Sequence, residues 1–176
     1  YSVHALAADI TDARAVEQEL ATQHFDYVVH LAAISAVTHA DELALYQVNL
    51  FGTLNLLQGL LAMDPPPRKV IIASSANIYG NSAASPLAED TPPAPVNHYA
   101  MSKLAMEHMS ATFADYLPLV TTRPFNYTGV GHDERFVVPK LVRHFREKQP
   151  AVELGNLEVE REFNDVRGVC LNYLEL

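Results

Sequence analysis

From residue 13 onward the apolar positions recur at helical spacing, with Ala13, Val16 and Leu20 on one side, predicting a helix to about residue 23. Thr11 or Asp12 can cap it. Residues 26–31, Asp-Tyr-Val-Val-His-Leu, read as a short buried strand that ends in Ala32-Ala33, where the backbone can approach a ligand closely. Residues 41–63 then read as a long helix, apolar at Leu43, Leu45, Val48, Leu50, Leu54, Leu57, Leu60 and Leu61. That coverage is wider than one stripe and predicts burial against both the sheet and a second surface. Pro65-Pro66-Pro67 ends the helix. Residues 69–74 form the next strand, and the unbroken run Val70-Ile71-Ile72-Ala73 suits a parallel sheet covered on both faces.

Residues 81–97 carry Pro86, Pro92, Pro93 and Pro95 and read as a loop. A helix over 98–116, a strand at 119–122, a loop over 124–135, a helix over 136–148 and a short strand at 151–154 complete the pattern. Helical and strand patterns alternate without internal repeat or low-complexity linker, which predicts an α/β domain built on a parallel sheet.

Composition narrows the function classes. The chain has 176 residues, 49% hydrophobic and 19% charged, enough for one domain with a substantial core. A net charge of −9 argues against nucleic acid or an anionic membrane as the main partner, while leaving room for a phosphate held by local arginines. The single cysteine, Cys170, excludes an internal disulfide framework and suits a reducing, cytoplasmic compartment. The apolar runs are too short for a membrane span, and the first residues, Tyr1-Ser2-Val3-His4, do not read as a signal peptide. The 8 histidines lack metal-ligand spacing, so no metal is expected, and the sequon Asn126-Tyr127-Thr128 reads as coincidence.

Chemistry enters at Ser74-Ser75-Ala76-Asn77-Ile78-Tyr79-Gly80 and at Tyr99-Ala100-Met101-Ser102-Lys103. Tyr99 and Lys103 stand one helical turn apart on a common face. A free phenol titrates at about 10, and a neighbouring cation stabilises the phenolate and brings that value toward neutrality. Ser75, at the carboxyl end of a parallel strand, could hydrogen-bond the same carbonyl oxygen and polarise it. A Tyr-x-x-x-Lys pair alone arises by chance on many helices. The serine strand two dozen residues upstream gives it meaning.

These residues resemble the extended short-chain dehydrogenase/reductase family, the branch that includes sugar-nucleotide epimerases, dehydratases and reductases. The resemblance implies a Rossmann-type doubly wound parallel sheet and a NADP or NAD cofactor. It places catalysis on Ser75, Tyr99 and Lys103, with Lys103 also on the nicotinamide ribose. It places Asp9 and Ile10 at the adenine, and Leu31, Ala32 and Ala33 along the cofactor. Asn49, ahead of Gly52-Thr53, is implied to lie near the cofactor, and Arg123 to sit on the loop that passes the nicotinamide. Ser75, Asn77, Asn126, Val137 and Arg161 are implied on the substrate side. Arg161 would grip the diphosphate, its fork suiting a phosphate better than an ammonium does; on its own it reads as an exposed surface charge.

Arg123-Pro124-Phe125-Asn126-Tyr127-Thr128-Gly129, Phe136-Val137-Val138-Pro139, Gly155-Asn156-Leu157-Glu158 and Arg161-Glu162-Phe163 are similar to reductases of GDP-4-keto-6-deoxy-mannose. The family's dehydratases place carboxylates just after the catalytic serine or threonine. Here Ala76 and Asn77 stand there, and neither titrates usefully, so dehydration is not expected. The expected activity is NAD(P)H-dependent reduction of the C4 ketone of a nucleotide-diphosphate 4-keto-6-deoxy sugar. An NAD-dependent 4-epimerase would use the same three residues, and a catalytically inactive scaffold is a third reading. Residues 1–130 read as part of the NAD(P)-binding domain and 131–176 as the start of the sugar-nucleotide region. No Gly-x-x-Gly-x-x-Gly turn precedes the first strand, so that unit and most of the C-terminal substrate domain are expected outside these residues. The helices over 41–63 and 98–116 are implied to pair two protomers into a homodimer; burial of the first helix only against its own sheet is the alternative.

Overall fold

A computed structural model describes residues 2–35, 40–155, 157, 158 and 160–176. Asn156 of the Gly-Asn-Leu-Glu motif lies outside them. The chain divides into two compact units, Tyr1–Arg123 and Pro124–Leu176.

In the first unit, Asp12 caps α1 (Ala13–Leu20) by accepting from the Arg14 and Ala15 amides at 3.0 and 3.1 Å. The helix stops at Leu20, short of the expected residue 23, and Val16 and Leu20 are buried while Ala13 is exposed. Strand β1 (Tyr27–His30) follows, then α2 (Glu42–Tyr46), a π-helical turn (Gln47–Gly52) and α3 (Thr53–Leu61), which together form the long helix read from the pattern. Strand β2 (Lys69–Ala73) leads through a 3₁₀ turn (Ala76–Tyr79) and the loop over 81–97 to α4 (His98–Ala111). Beyond Ala111 the expected helix gives way to i→i−3 turns, with Thr112, Phe113, Ala114 and Tyr116 each donating three residues back. Strand β3 (Leu119–Thr122) closes the unit.

The three strands pair in parallel in the order β1-β2-β3, with Val28 opposite Val70 and Val70 opposite Leu119. Val70 and Ile72 point from one face into a core with Val16, Leu20, Leu56, Leu57, Leu60, Met106 and Leu117. That core joins β2 to α1, α3 and α4, and each fully buried leucine contributes about 1.5–3 kcal/mol.

One burial expectation fails. Tyr27 and Val29 on β1 are 57% and 48% exposed, because β1 is an edge strand and no described residue covers that face. On the long helix Leu45, Leu57 and Leu60 are buried while Leu43, Phe51 and Leu61 are exposed, and no described residue covers that side.

In the second unit, β4 (Asn126–Thr128) pairs in parallel with β5 (Phe163–Asp165), and α5 (Val137–Arg146) and α6 (Val166–Glu175) complete it. The expected strand at 151–154 does not form; no described strand partners it, and the ladder forms at 163–165 instead. β4 itself lies inside the stretch read as a loop. Three residues carry too little periodicity to show in the sequence. Among the described residues no helix is long and apolar enough to cross a membrane.

Candidate active site

The carboxyl end of β2 runs into Ser74 and Ser75. Ser75 has extended backbone, φ −161°, and caps the 3₁₀ turn. Its Oγ accepts from the Asn77 amide at 3.2 Å and from Asn77 Nδ2 at 3.1 Å. A hydroxyl has two lone pairs and one proton. With both lone pairs taken by Asn77, the hydroxyl proton is what Ser75 retains to donate. The turn closes at Gly80, whose φ of +61° and close approach to Ala94 need glycine: a Cβ there would lie 1.9 Å from the Ala94 oxygen.

Helix α4 starts at an Asn97 cap, whose Oδ1 accepts from the Ala100 amide at 2.8 Å. Its first two turns bury Tyr99 and Lys103, 7% and 4% exposed. Lys103 Nζ donates to the Ala73 carbonyl at 2.7 Å, two residues before Ser75, so the lysine ties the helix to the serine's own strand end. Burial drives the Lys103 ammonium down to about 8, partly opposed by Glu107 one turn further along α4.

Beneath these residues runs a buried polar chain that joins β1, the π turn and α4. Thr53 Oγ1 donates to the Asn49 carbonyl at 2.7 Å, which uses its one proton. The 2.9 Å contact with His30 Nε2 therefore has the histidine as donor, and that assigns the Nε2–H tautomer. His30 is buried, and desolvation followed by the nearby Lys103 charge drives its pKa down to about 4. Asn49, fully buried, donates from Nδ2 to the Ile34 carbonyl at 3.2 Å and to Ser102 Oγ at 3.0 Å. Its Oδ1 accepts from the Ile34 amide at 2.9 Å, so it holds the segment leaving β1. Ser102 Oγ in turn donates to the Tyr99 carbonyl at 2.8 Å. A π turn places Asn49 for this, as π insertions often do at functional sites.

The other expected cofactor residues lie before α1, just past β1 and just past β3. Leu31 and Ala32, just past β1, are exposed and Ala33 is partly so. Asp9 is exposed, and Oδ1 accepts from the Thr11 amide at 2.9 Å and hydroxyl at 2.8 Å, which holds its carboxyl below the usual range. Ile10 packs on Gly52, where a Cβ would come 2.7 Å from the Ile10 side chain. Arg123, at the end of β3, grips Glu107 through Nε at 3.0 and 3.2 Å and Nη2 at 2.7 Å. Its Nη1 donates to Tyr79 Oη at 2.8 Å and to the Glu89 carbonyl at 2.9 Å.

The donor set fits the nicotinamide end of a dinucleotide. Open small residues at one strand end stand beside a buried ammonium and a hydroxyl donor at the next. Ser74 Oγ, buried there, has no hydrogen-bond partner among the described residues.

The first unit thus brings together Ser75, Asn77, Tyr99, Lys103 and Asn49. The remaining substrate-side residues belong to the second unit. Asn126 on β4 donates from Nδ2 to the Glu162 carbonyl at 3.2 Å, Val137 begins α5 and is 41% exposed, and Arg161 is exposed, with Nη1 on the Glu160 carbonyl at 2.7 Å. Sequence reasoning missed Thr53, Ser102 and Glu107 as parts of the site. Glu107 alone left a signal, four residues beyond Lys103 on the same face. Among the described residues no group of three or more histidines, cysteines or acids gathers as a metal site.

The comparisons agree with this geometry. The chain is 38% identical over 162 residues to GDP-6-deoxy-D-talose 4-dehydrogenase of Aggregatibacter actinomycetemcomitans, covering 92% of this chain and 55% of that protein. It is 38% identical over 162 residues to GDP-6-deoxy-D-mannose reductase of Pseudomonas aeruginosa, covering 86% of this chain and 53% of that one. The structure of RMD from Pseudomonas aeruginosa complexed with NADPH superposes with a TM-score of 0.88 at 31% identity, over 99% of this chain and 63% of that chain. The chain spans about half the length of the curated relatives it matches. The pattern of the NAD dependent epimerase/dehydratase family matches residues 2–174, which takes in the serine turn, the Tyr-x-x-x-Lys helix and both units. With the parallel sheet and the buried lysine at its carboxyl edge, the chain belongs to that family, the extended short-chain dehydrogenases/reductases.

Proposed function

We propose that the protein reduces the C4 ketone of a nucleotide-diphosphate 4-keto-6-deoxy sugar, the GDP-linked sugar being favoured. The observation that carries this reading is the join of Lys103 Nζ to Ala73 beside a serine whose lone pairs are held by Asn77. Ser75 donates a hydrogen bond from its hydroxyl to the ketone oxygen, keeping its proton, and polarises the carbonyl. Tyr99, buried on the same helix face as Lys103, hands its phenolic proton to that oxygen as it becomes an alkoxide, and the Lys103 ammonium stabilises the phenolate left behind. Solvent returns the proton to Tyr99. The reduced nicotinamide, NADPH or NADH, supplies the hydride to C4 when bound. Lys103 and Tyr99 would hold its ribose end, Leu31, Ala32 and Ala33 its middle, and Asp9 and Ile10 its adenine, with Asn49 acting through the segment it holds.

Asn126, Val137 and Arg161 are assigned to the sugar nucleotide, Arg161 to the diphosphate. Residues 1–130 are read as cofactor-binding and 131–176 as substrate-binding. Asn77 holding Ser75 leaves no carboxylate at the dehydratase positions, which supports reduction over dehydration. The exposed Leu43, Phe51 and Met101 support a homodimer through α2, the π turn and α4, which sedimentation of the intact protein tests.

The decisive assay incubates the intact protein with GDP-4-dehydro-6-deoxy-mannose and NADPH or NADH and follows absorbance of the reduced nicotinamide. Stoichiometric consumption with formation of the 4-hydroxy sugar supports the proposal. No consumption, with interconversion of UDP-glucose and UDP-galactose, makes the protein an epimerase. Failure to bind either dinucleotide makes it a scaffold.

A further inference from the structure

Ser75, Tyr99 and Lys103 come from two segments separated by a proline-rich loop, and the Lys103 bond to the Ala73 carbonyl joins those segments without holding the loop itself. Arg123 holds all three. Arg123 Nη1 donates to Tyr79 in the turn that Ser75 caps and to the Glu89 carbonyl in the intervening loop. Its Nε and Nη2 close a two-pronged pair with Glu107 on α4. The Arg123 guanidinium carbon lies 5.3 Å from the Tyr79 ring centroid, adding a cation–π contact. A guanidinium has five N–H groups, and these partners engage four of them. What remains cannot offer a ligand phosphate the bidentate fork that is the usual reason for an arginine.

We propose that Arg123 is a positioning residue that clips the serine turn, the 81–97 loop and the catalytic helix into one rigid unit. This rests on the reading of Ser75, Tyr99 and Lys103 as the reactive set. The loop has a second pin of its own, where the Ala94 amide donates to the Ile78 carbonyl at 2.9 Å beside Gly80. The clip also has an electrostatic arm. Glu107 lies on the Lys103 face one turn on, and the two side chains of the pair are only 27% and 11% exposed, for Arg123 and Glu107 respectively, so solvent screens them weakly. Lys103 is faced by Tyr99 and Glu107 from its own helix, by His30 from β1 and, through Glu107, by Arg123 from the end of β3. Removing the arginine leaves Glu107 unneutralised beside the lysine. Removing the glutamate leaves an extra cation near it. The two changes push Lys103 in opposite directions.

The test compares kcat, KM, their pH profiles and thermal unfolding for the intact wild type and for Arg123→Lys, Arg123→Gln and Glu107→Gln. The expected result is a kcat lower by roughly ten- to a hundred-fold with KM changed by no more than about three-fold, as for misplaced reactive groups. The alkaline limb of kcat moves to higher pH in Arg123→Gln and to lower pH in Glu107→Gln. Arg123→Lys keeps the charge and the limb but loses the fork, so its kcat still falls. Unchanged kcat with only a lowered melting temperature, or limbs that move in the same direction, overturns the proposal. Should Arg123→Gln fail to fold, Arg123→Lys and Glu107→Gln decide. If the wild type itself turns over no substrate, the functional reading has failed instead. Hydrogen exchange of residues 81–97 then judges the clip alone: faster exchange in Arg123→Lys supports it and an unchanged rate sinks it.

Discussion

Replacing Lys103 with methionine should abolish turnover while removing a stability cost, because the ammonium is 4% exposed and held down to about 8 from 10.5. That depression corresponds to about 3 kcal/mol of unfavourable burial wherever the folded lysine is charged. Below pH 8 both folded and unfolded chains carry the proton, and the whole penalty is present. Between about 8 and 10.5 the folded form has released its proton and the unfolded form has not, so unfolding takes up a proton and stability rises with pH. Above that window the penalty is gone. Methionine has similar length and no charge, so Lys103→Met should lose this rise. Losing the bond to the Ala73 carbonyl offsets part of that relief, most where the ammonium is charged, because a charged donor bonds more strongly than a neutral amine. Urea unfolding at intervals from pH 7 to 10.5 supplies the assay, with the difference between wild type and variant cancelling the tyrosines that also titrate there. A difference that changes by about 3 kcal/mol across the window supports the reasoning. Parallel curves refute it, and would mean that Lys103 is hydrated in solution.

Other outcomes follow from particular contacts. His30, driven down to about 4 from 6.5 by burial and by Lys103, contributes stability that is complete above about 6.5 and lost as pH falls toward 4. His30→Gln should flatten that acid limb in urea unfolding, and nitrogen NMR of the wild type should report the Nε2–H tautomer at neutral pH. Asn77→Ala removes the side-chain donor to Ser75 and should lower kcat by roughly ten-fold with little change in KM, measured by nicotinamide absorbance. Gly80→Ala, with a Cβ that would lie 1.9 Å from the Ala94 oxygen at a φ of +61°, should destabilise by about 2 kcal/mol or more by thermal unfolding.

Local patterns carried much of the architecture. The α/β alternation, the capped start of the first helix at Asp12 and the buried run of β2 all follow from near-neighbour chemistry, and all are present in the structure. Those patterns misjudged what depends on distant partners. A short strand is expected at 151–154, but a strand exists only where another supplies its ladder, and that pairing went to 126–128 and 163–165. The exposed side of the long helix was likewise invisible, since periodicity shows which positions are apolar and not what covers them.

The candidate site divides the same way. Ser75 at a strand end and Tyr99 and Lys103 one turn apart are legible because strand and helix periods place them. The His30–Thr53–Asn49–Ser102 chain and the Arg123 clip are not, because their partners stand as far apart as 53 residues in one and 44 in the other. Residue order and periodicity decided which groups could take part in catalysis. Only folding decided how each is held and charged, because burial and long-range hydrogen bonds arise when the segments pack.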